Sequence, residues 1–196
     1  MSLRLFLAPL ALLALTACSD VEKDEHDHHH HHDHEVISTV VLTFTSQADD
    51  TEQVIRWVED EGQDVDIDLA AGTVYDLSVS ALNELETPAE DITPEIADEA
   101  DEHQLFFTGS AVDDALVTHD YVDFDEEGLP LGLENEITAV TAGSGDLTVT
   151  LRHLALQDGN KVKREGMAED VAEGGLSAIA GEGDNDFSID FSITVQ

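Results

Sequence analysis

The sequence predicts an all-β fold, an Ig-like antiparallel β-sandwich with one short acidic helix, over residues 36–196. Three observations predict it. From Val36 onward, short runs rich in β-branched and aromatic residues recur, several of them alternating polar and apolar. Gly and Asp turns separate these runs at short intervals, the spacing of a sandwich. Helical periodicity is confined to one acidic stretch at about 94–102.

The elements follow in order. Val36-Ile-Ser-Thr-Val-Val-Leu-Thr-Phe-Thr45 is the first predicted strand, and Gln53-Val-Ile-Arg-Trp-Val58 the second. The latter ends in the turn-rich Glu59-Asp-Glu-Gly62. Val65-Asp-Ile-Asp-Leu69 alternates cleanly. A turn at Gly72 leads into residues 73–82, where Tyr75, Leu77, Val79 and Ala81 face the core and Val74, Asp76, Ser78 and Ser80 face away. Thr87-Pro-Ala-Glu90 has capping-box spacing. Thr93-Pro94 places proline at a favoured first helical position, and Ile96, Ala100 and His103 share one face of that helix. Strands resume at 104–108, 117–124, 134–140, 146–154 and 186–195. The glycine-rich stretch 157–184 predicts a long loop with a helical turn at 168–173.

Upstream of the fold, the chain reads as an export signal and a tether. Arg4 precedes an apolar run over residues 5–15. That run is short of the roughly 20 residues that span a bilayer, and it suits a secretory signal over residues 1–17. Leu15-Thr16-Ala17-Cys18 resembles the lipobox of bacterial lipoproteins. The resemblance implies a diacylglycerol on the Cys18 thiol, cleavage before it and acylation of the new amine, and two or more acyl chains anchor stably. Cys18 is the single cysteine, so no internal disulfide forms. Ser19, rather than Asp, in the second position favours the outer membrane by analogy with enterobacterial sorting. Ser19-Asp-Val-Glu-Lys-Asp-Glu25 is similar to acidic surface-export signals of some Bacteroidetes lipoproteins.

Charge narrows the partners. Without residues 1–17 the chain keeps six Lys and Arg against 45 Asp and Glu, a net charge of −39. Such a surface repels nucleic acid and anionic headgroups and attracts divalent cations. Adaptation to saline surroundings explains the same acidity.

Seven of the ten histidines lie in Asp24-Glu-His-Asp-His-His-His-His-His-Asp-His-Glu35: His26, His28, His29, His30, His31, His32 and His34. The tract is almost without apolar residues and is expected to be disordered. Residues 18–35 form a tether of at most about 60 Å. Imidazole suits zinc, nickel and copper, and interleaved carboxylates add oxygen ligands. Binding should fail below about pH 6, where imidazole protonates. The competing reading is a solvating linker.

Within the domain, Asp123, Asp125 and Glu127, with Gly128 and Glu134, fall at EF-hand positions 1, 3, 5, 6 and 12, a candidate calcium loop. The flanking strands and Pro130 do not suit a helix–loop–helix, and the competing reading is a solvated hairpin turn. Glu59-Asp60-Glu61-Gly62 with Asp64, and Gly183-Asp184-Asn185-Asp186, are weaker candidates of the same type. His103 is expected to close the acidic helix. His119 and His153 fall in strands and are read as structural or edge residues. No nucleophile elbow, Walker loop, cysteine nucleophile or zincin motif is present, which predicts a non-enzyme.

Several segments together carry a wider resemblance: Val36-Ile-Ser-Thr-Val, residues 81–96, Glu102-His-Gln-Leu-Phe-Phe107, Leu147-Thr-Val-Thr-Leu-Arg-His153 and Asp190-Phe-Ser-Ile-Thr-Val-Gln196. They look like a family of uncharacterised lipoproteins common in Bacteroidetes, sometimes called "type 1 periplasmic binding fold superfamily" proteins. The resemblance implies an Ig-like sandwich and a lipid anchor. The periplasmic-binding fold itself needs two α/β lobes, for which this chain has neither the length nor the pattern. Two functions follow from the whole reading. One is an accessory metal-binding lipoprotein of the outer membrane that serves a receptor or transporter. The other is an adhesion or protein-interaction module for which the histidine tract is only a stalk.

Overall fold

The computed structural model describes residues 36–61 and 66–196. The signal, Cys18, the histidine tract, Gly62 and Asp64 lie outside the described residues.

Among the described residues, ten strands and three short helices follow in chain order. They are β1 (Thr39–Ser46), β2 (Glu52–Val58), β3 (Asp66–Leu69), β4 (Val74–Asn83), β5 (Glu90–Asp91), α1 (Thr93–Asp98), β6 (His103–Thr108), α2 (Ser110–Asp113), β7 (Val117–Tyr121), β8 (Glu134–Ala139), β9 (Gly143–His153), α3 (Met167–Gly174) and β10 (Asp184–Val195). A 3₁₀ turn, Leu176–Ile179, precedes β10. One sheet has six strands, ordered β2-β1-β4-β8-β7 with β5 paired to β4. The other has four, ordered β3-β10-β9-β6. The fold is mostly β, two sheets packed face to face. Among the described residues no helix is long and apolar enough to cross a membrane.

Alternation builds the core. In β4, Tyr75, Leu77, Val79 and Ala81 are buried, the inward face the sequence predicts. Val40, Leu42 and Phe44 of β1 meet Leu147, Val149 and Leu151 of β9 and Phe191 and Ile193 of β10 in one apolar cluster between the sheets. Burying a side chain of this size contributes roughly 1.5–3 kcal/mol. A second cluster joins Phe106, Leu154, Met167, Val171 and Ile179. Phe106 alternates with Leu105 and Phe107 of the main core, so this cluster lies on the outer face of the four-stranded sheet.

The structure departs from the sequence expectations in four places. β3 pairs with β10 in parallel, while the other ladders are antiparallel. A parallel pair needs a long crossover, and the chain between Leu69 and Asp184 supplies it. The acidic helix spans only Thr93–Asp98, and His103 belongs to β6. Glu102 N–H bonds Glu99 O at 2.8 Å, a turn that ends the helix before the strand. The Thr87-Pro-Ala-Glu90 stretch caps nothing, because Glu90 and Asp91 pair with β4 and the Thr93 hydroxyl accepts from Ala81 N–H at 3.0 Å. Finally, the 157–184 stretch carries the expected helical turn, as α3, but is a built strap and not an open loop: α3 and the 3₁₀ turn cover the second cluster.

Candidate metal centre

Three side chains that are far apart in sequence meet at one end of the four-stranded sheet. β6 begins at His103 and β9 ends at His153, and the two residues are direct cross-strand partners. Directly opposed residues project to one face, and the imidazoles stack with ring centroids 4.6 Å apart and 23° between planes. That face is the inner one, since Leu105 and Leu151, two residues further in, belong to the main core. On the other side of β9, β10 pairs Asp184 with His153 and Asn185 with Arg152, then skips to Phe187 with Leu151. Asp186 is the extra residue of a β-bulge, the device that re-aims a side chain. It brings the Asp186 carboxylate in under both rings.

The distances are close to those of a ligand set. His103 Nε2 lies 3.6 Å from Asp186 Oδ2, and His153 Nδ1 lies 3.9 Å from Asp186 Oδ1. One donor atom from each of the three residues falls within 4.8 Å of the others. A tetrahedral zinc with ligands at about 2.0–2.1 Å holds neighbouring donors about 3.3 Å apart, so three donor atoms that lie within 4.8 Å of one another would draw together by up to about 1.5 Å to close the set. The side chains of His103 and Asp186 are wholly buried and that of His153 is 7% exposed. Asp186 is half-buried as a residue only because solvent reaches its backbone.

A second layer orients the rings. His103 Nδ1 faces Glu99 O at 3.2 Å, at the end of α1, so Nδ1 carries the proton and Nε2, turned toward Asp186, is the nitrogen that could ligate a metal. His153 Nε2 faces the half-buried Glu102 carboxylate at 3.7 Å, leaving Nδ1 toward Asp186. Carbonyl and carboxylate partners on the far ring nitrogen are the usual supports of metal-bound histidine. Two imidazoles and one carboxylate suit zinc and neighbouring transition metals, whereas calcium and magnesium take oxygen sets. The group could hold such a metal with a further coordination position for water or a ligand.

Arg152, buried on the opposite face of β9, holds the bulge in place. Its guanidinium donates to Ile179 O, Glu182 O and Gly183 O at 3.2, 2.7 and 3.1 Å, and to Asn185 Oδ1 at 2.8 Å. Gly183 has φ +75°, and a Cβ there would press on the His153 carbonyl.

The sequence-predicted candidates are distributed differently. Cys18 and the seven tract histidines lie outside the described residues. The calcium-loop acids do not converge on one point. Asp123 accepts from Gly132 N–H and Leu133 N–H at 2.7 and 3.0 Å. Asp125 accepts from Glu127 N–H and Leu129 N–H, each at 2.9 Å, and pairs with Lys163 at 3.0 Å. Glu127 pairs with Lys161, and Glu134 opens β8. Burial, with the Asp123 and Asp76 charges, holds the Glu134 carboxyl above its usual range. Of the weaker loops, 183–186 starts β10 and contributes Asp186 to the histidine pair. His103 does bond the end of the acidic helix as expected, but from a strand. His153 is at the end of a central strand rather than an edge, and its partners come from segments 50 and 33 residues away.

Comparison with protein-family models, with curated proteins and with solved structures finds no match to this chain.

Proposed function

We propose that this chain is a non-catalytic, lipid-anchored protein of the outer membrane, with an Ig-like fold, that binds a zinc-like transition metal. The observation that carries the proposal is the buried His103–His153–Asp186 group, with each histidine oriented from behind by a carbonyl or carboxylate. On this reading the domain contributes an ordered, higher-affinity site, and the histidine tract of residues 26–34 contributes weaker and less selective ones. A net charge of −38 across the full chain raises the local concentration of divalent cations for both. The lipidation motif at Cys18 and the family resemblance support an accessory role beside an envelope receptor or transporter.

Calorimetric zinc titration of four proteins tests the reading: the parent, a deletion of residues 26–34, His153→Ala, and the two changes combined. The parent should show one tight site per chain above a set of weak ones. His153→Ala should remove the tight site and the deletion the weak ones. Identical isotherms for the parent and His153→Ala would reject the domain site. No zinc binding by any of the four would leave the adhesion reading.

A further inference from the structure

A separate cavity of about 370 Å³ lies where the two sheets part at their edges, between β6 of one sheet, β7 of the other and α3 across the gap. We propose that it binds a small, planar, uncharged aromatic molecule carrying one hydroxyl or N–H donor.

The walls set the class. Phe107 of β6 and Val117 of β7 form the sheet side, Val112 of α2 joins them, and Ala168, Val171 and Ala172 of α3 form the opposite wall. Small side chains on α3 leave a slot, and the volume falls in the range of small-molecule sites, which are mostly apolar with a few placed polar groups. An aromatic trio lines one flank. Phe107 stacks on His119 with centroids 4.2 Å apart, and Tyr121 meets His119 edge-on at 4.4 Å. Flat rings pack well against such a flank by stacked or edge contacts.

The polar atoms set the donor requirement. The Tyr121 hydroxyl donates to Leu105 O at 2.7 Å and is engaged there. Asn135 directs its amide N–H to Gly132 O at 2.6 Å, so its Oδ1, 2.9 Å from His119 Nε2, accepts from that ring. His119 Nε2 therefore carries the proton, and burial keeps the ring neutral by pulling its pKa below the ordinary 6.5. Nδ1 is then the acceptor that the ring offers to a ligand. Glu169 stands exposed among the lining residues, and with the acidic surface it disfavours carboxylates.

The test is a titration of the full chain, followed by NMR or calorimetry, with 4-methylphenol, toluene and benzoate as probes. The expected result is binding of 4-methylphenol about two- to tenfold tighter than toluene, one hydrogen bond's worth of preference, with benzoate weakest. Ala172→Trp, at an exposed helix position that does not threaten the core, should fill the slot and abolish binding. His119→Phe keeps the stack but removes Nδ1, and should equalise 4-methylphenol and toluene. Absence of binding by all probes, equal affinity for 4-methylphenol and toluene in the parent, or binding indifferent to Ala172→Trp would overturn the proposal. None of these outcomes depends on zinc binding at His103.

Discussion

Lys163→Met is expected to be among the most damaging single changes outside the apolar core. The Lys163 ammonium sits 3.0 Å from Asp125 Oδ2, with the two side chains 1% and 2% exposed, and it also donates to Ala100 O at 2.7 Å. Burial pulls the lysine pKa down against the support of Asp125. Burial pushes Asp125 up, but Leu129 N–H, the lysine and Glu127 N–H outweigh it and hold the carboxyl low. Three donors converge on the Asp125 carboxylate and keep it low despite its burial. Methionine would fill the space of the stem and leave the carboxylate buried with two backbone donors. Breaking a buried pair in this way costs about 3–5 kcal/mol. For a domain of this size the loss corresponds to a fall of roughly 6–20 °C in Tm.

Guanidinium unfolding at pH 7.5, followed by circular dichroism, measures the effect. Asp125→Asn in the same background keeps an acceptor for Leu129 and Glu127 and removes the stranded charge, so the double variant should recover part of the loss. In the parent, the depressed Asp125 pKa contributes stability that is present above the unfolded value near 3.8 and lost as pH falls through the folded one. In Lys163→Met the carboxyl keeps its two backbone donors but loses the lysine, so it is held less low and the gap between the two proteins should narrow in acid. A loss below about 1 kcal/mol, or a double variant no more stable than Lys163→Met, would refute the reasoning.

Arg152→Met should cost about 3–5 kcal/mol, since it strands the carbonyls of Ile179, Glu182 and Gly183; it should also weaken zinc binding by loosening the Asp186 bulge, and a titration that shows parental affinity would count against that positioning role. Gly183→Ala combines a positive φ with a clash on the His153 carbonyl, and chemical denaturation should show a loss of at least about 2 kcal/mol. Glu134→Gln should raise Tm at pH 7, because burial and two neighbouring acids already oppose the charge; repeating the melt in calcium and in chelator tests the loop, and identical curves for the parent would show that it binds no calcium. His119 has a folded pKa below its unfolded value of 6.5, so its neutral form contributes stability that is present above pH 6.5 and declines as pH falls toward the folded pKa; the stability gap between the parent and His119→Phe should therefore shrink between pH 8 and pH 5 in parallel melts.

Local pattern is legible where one face of an element is buried and the other is wet. β4 shows this best: a period of two assigns Tyr75, Leu77, Val79 and Ala81 inward, and only the buried Asn83 at its end escapes the pattern. The strands of the second half are legible for the same reason, whereas α3 shows only as a helical turn inside a glycine-rich stretch without clear period. The short β5 pair was not, because two residues carry no period and Thr87-Pro-Ala-Glu90 satisfies a helix-start pattern equally well. The parallel pairing of β3 was illegible too, since alternation says which face is buried and nothing about which neighbour runs beside it.

The candidate site divides along the same line. By itself, the sequence determined the composition of the metal chemistry: an acidic chain, seven histidines in one tract, and three more histidines in the domain. Those are one-dimensional facts, set by residue type and local spacing. The tertiary structure alone decided that His103 and His153 face each other across one rung, and that a single bulged residue turns Asp186 toward them. Register over a separation of 50 residues and an insertion of one residue in a ladder leave no periodic trace in the chain, because both are set by packing between strands and not within one.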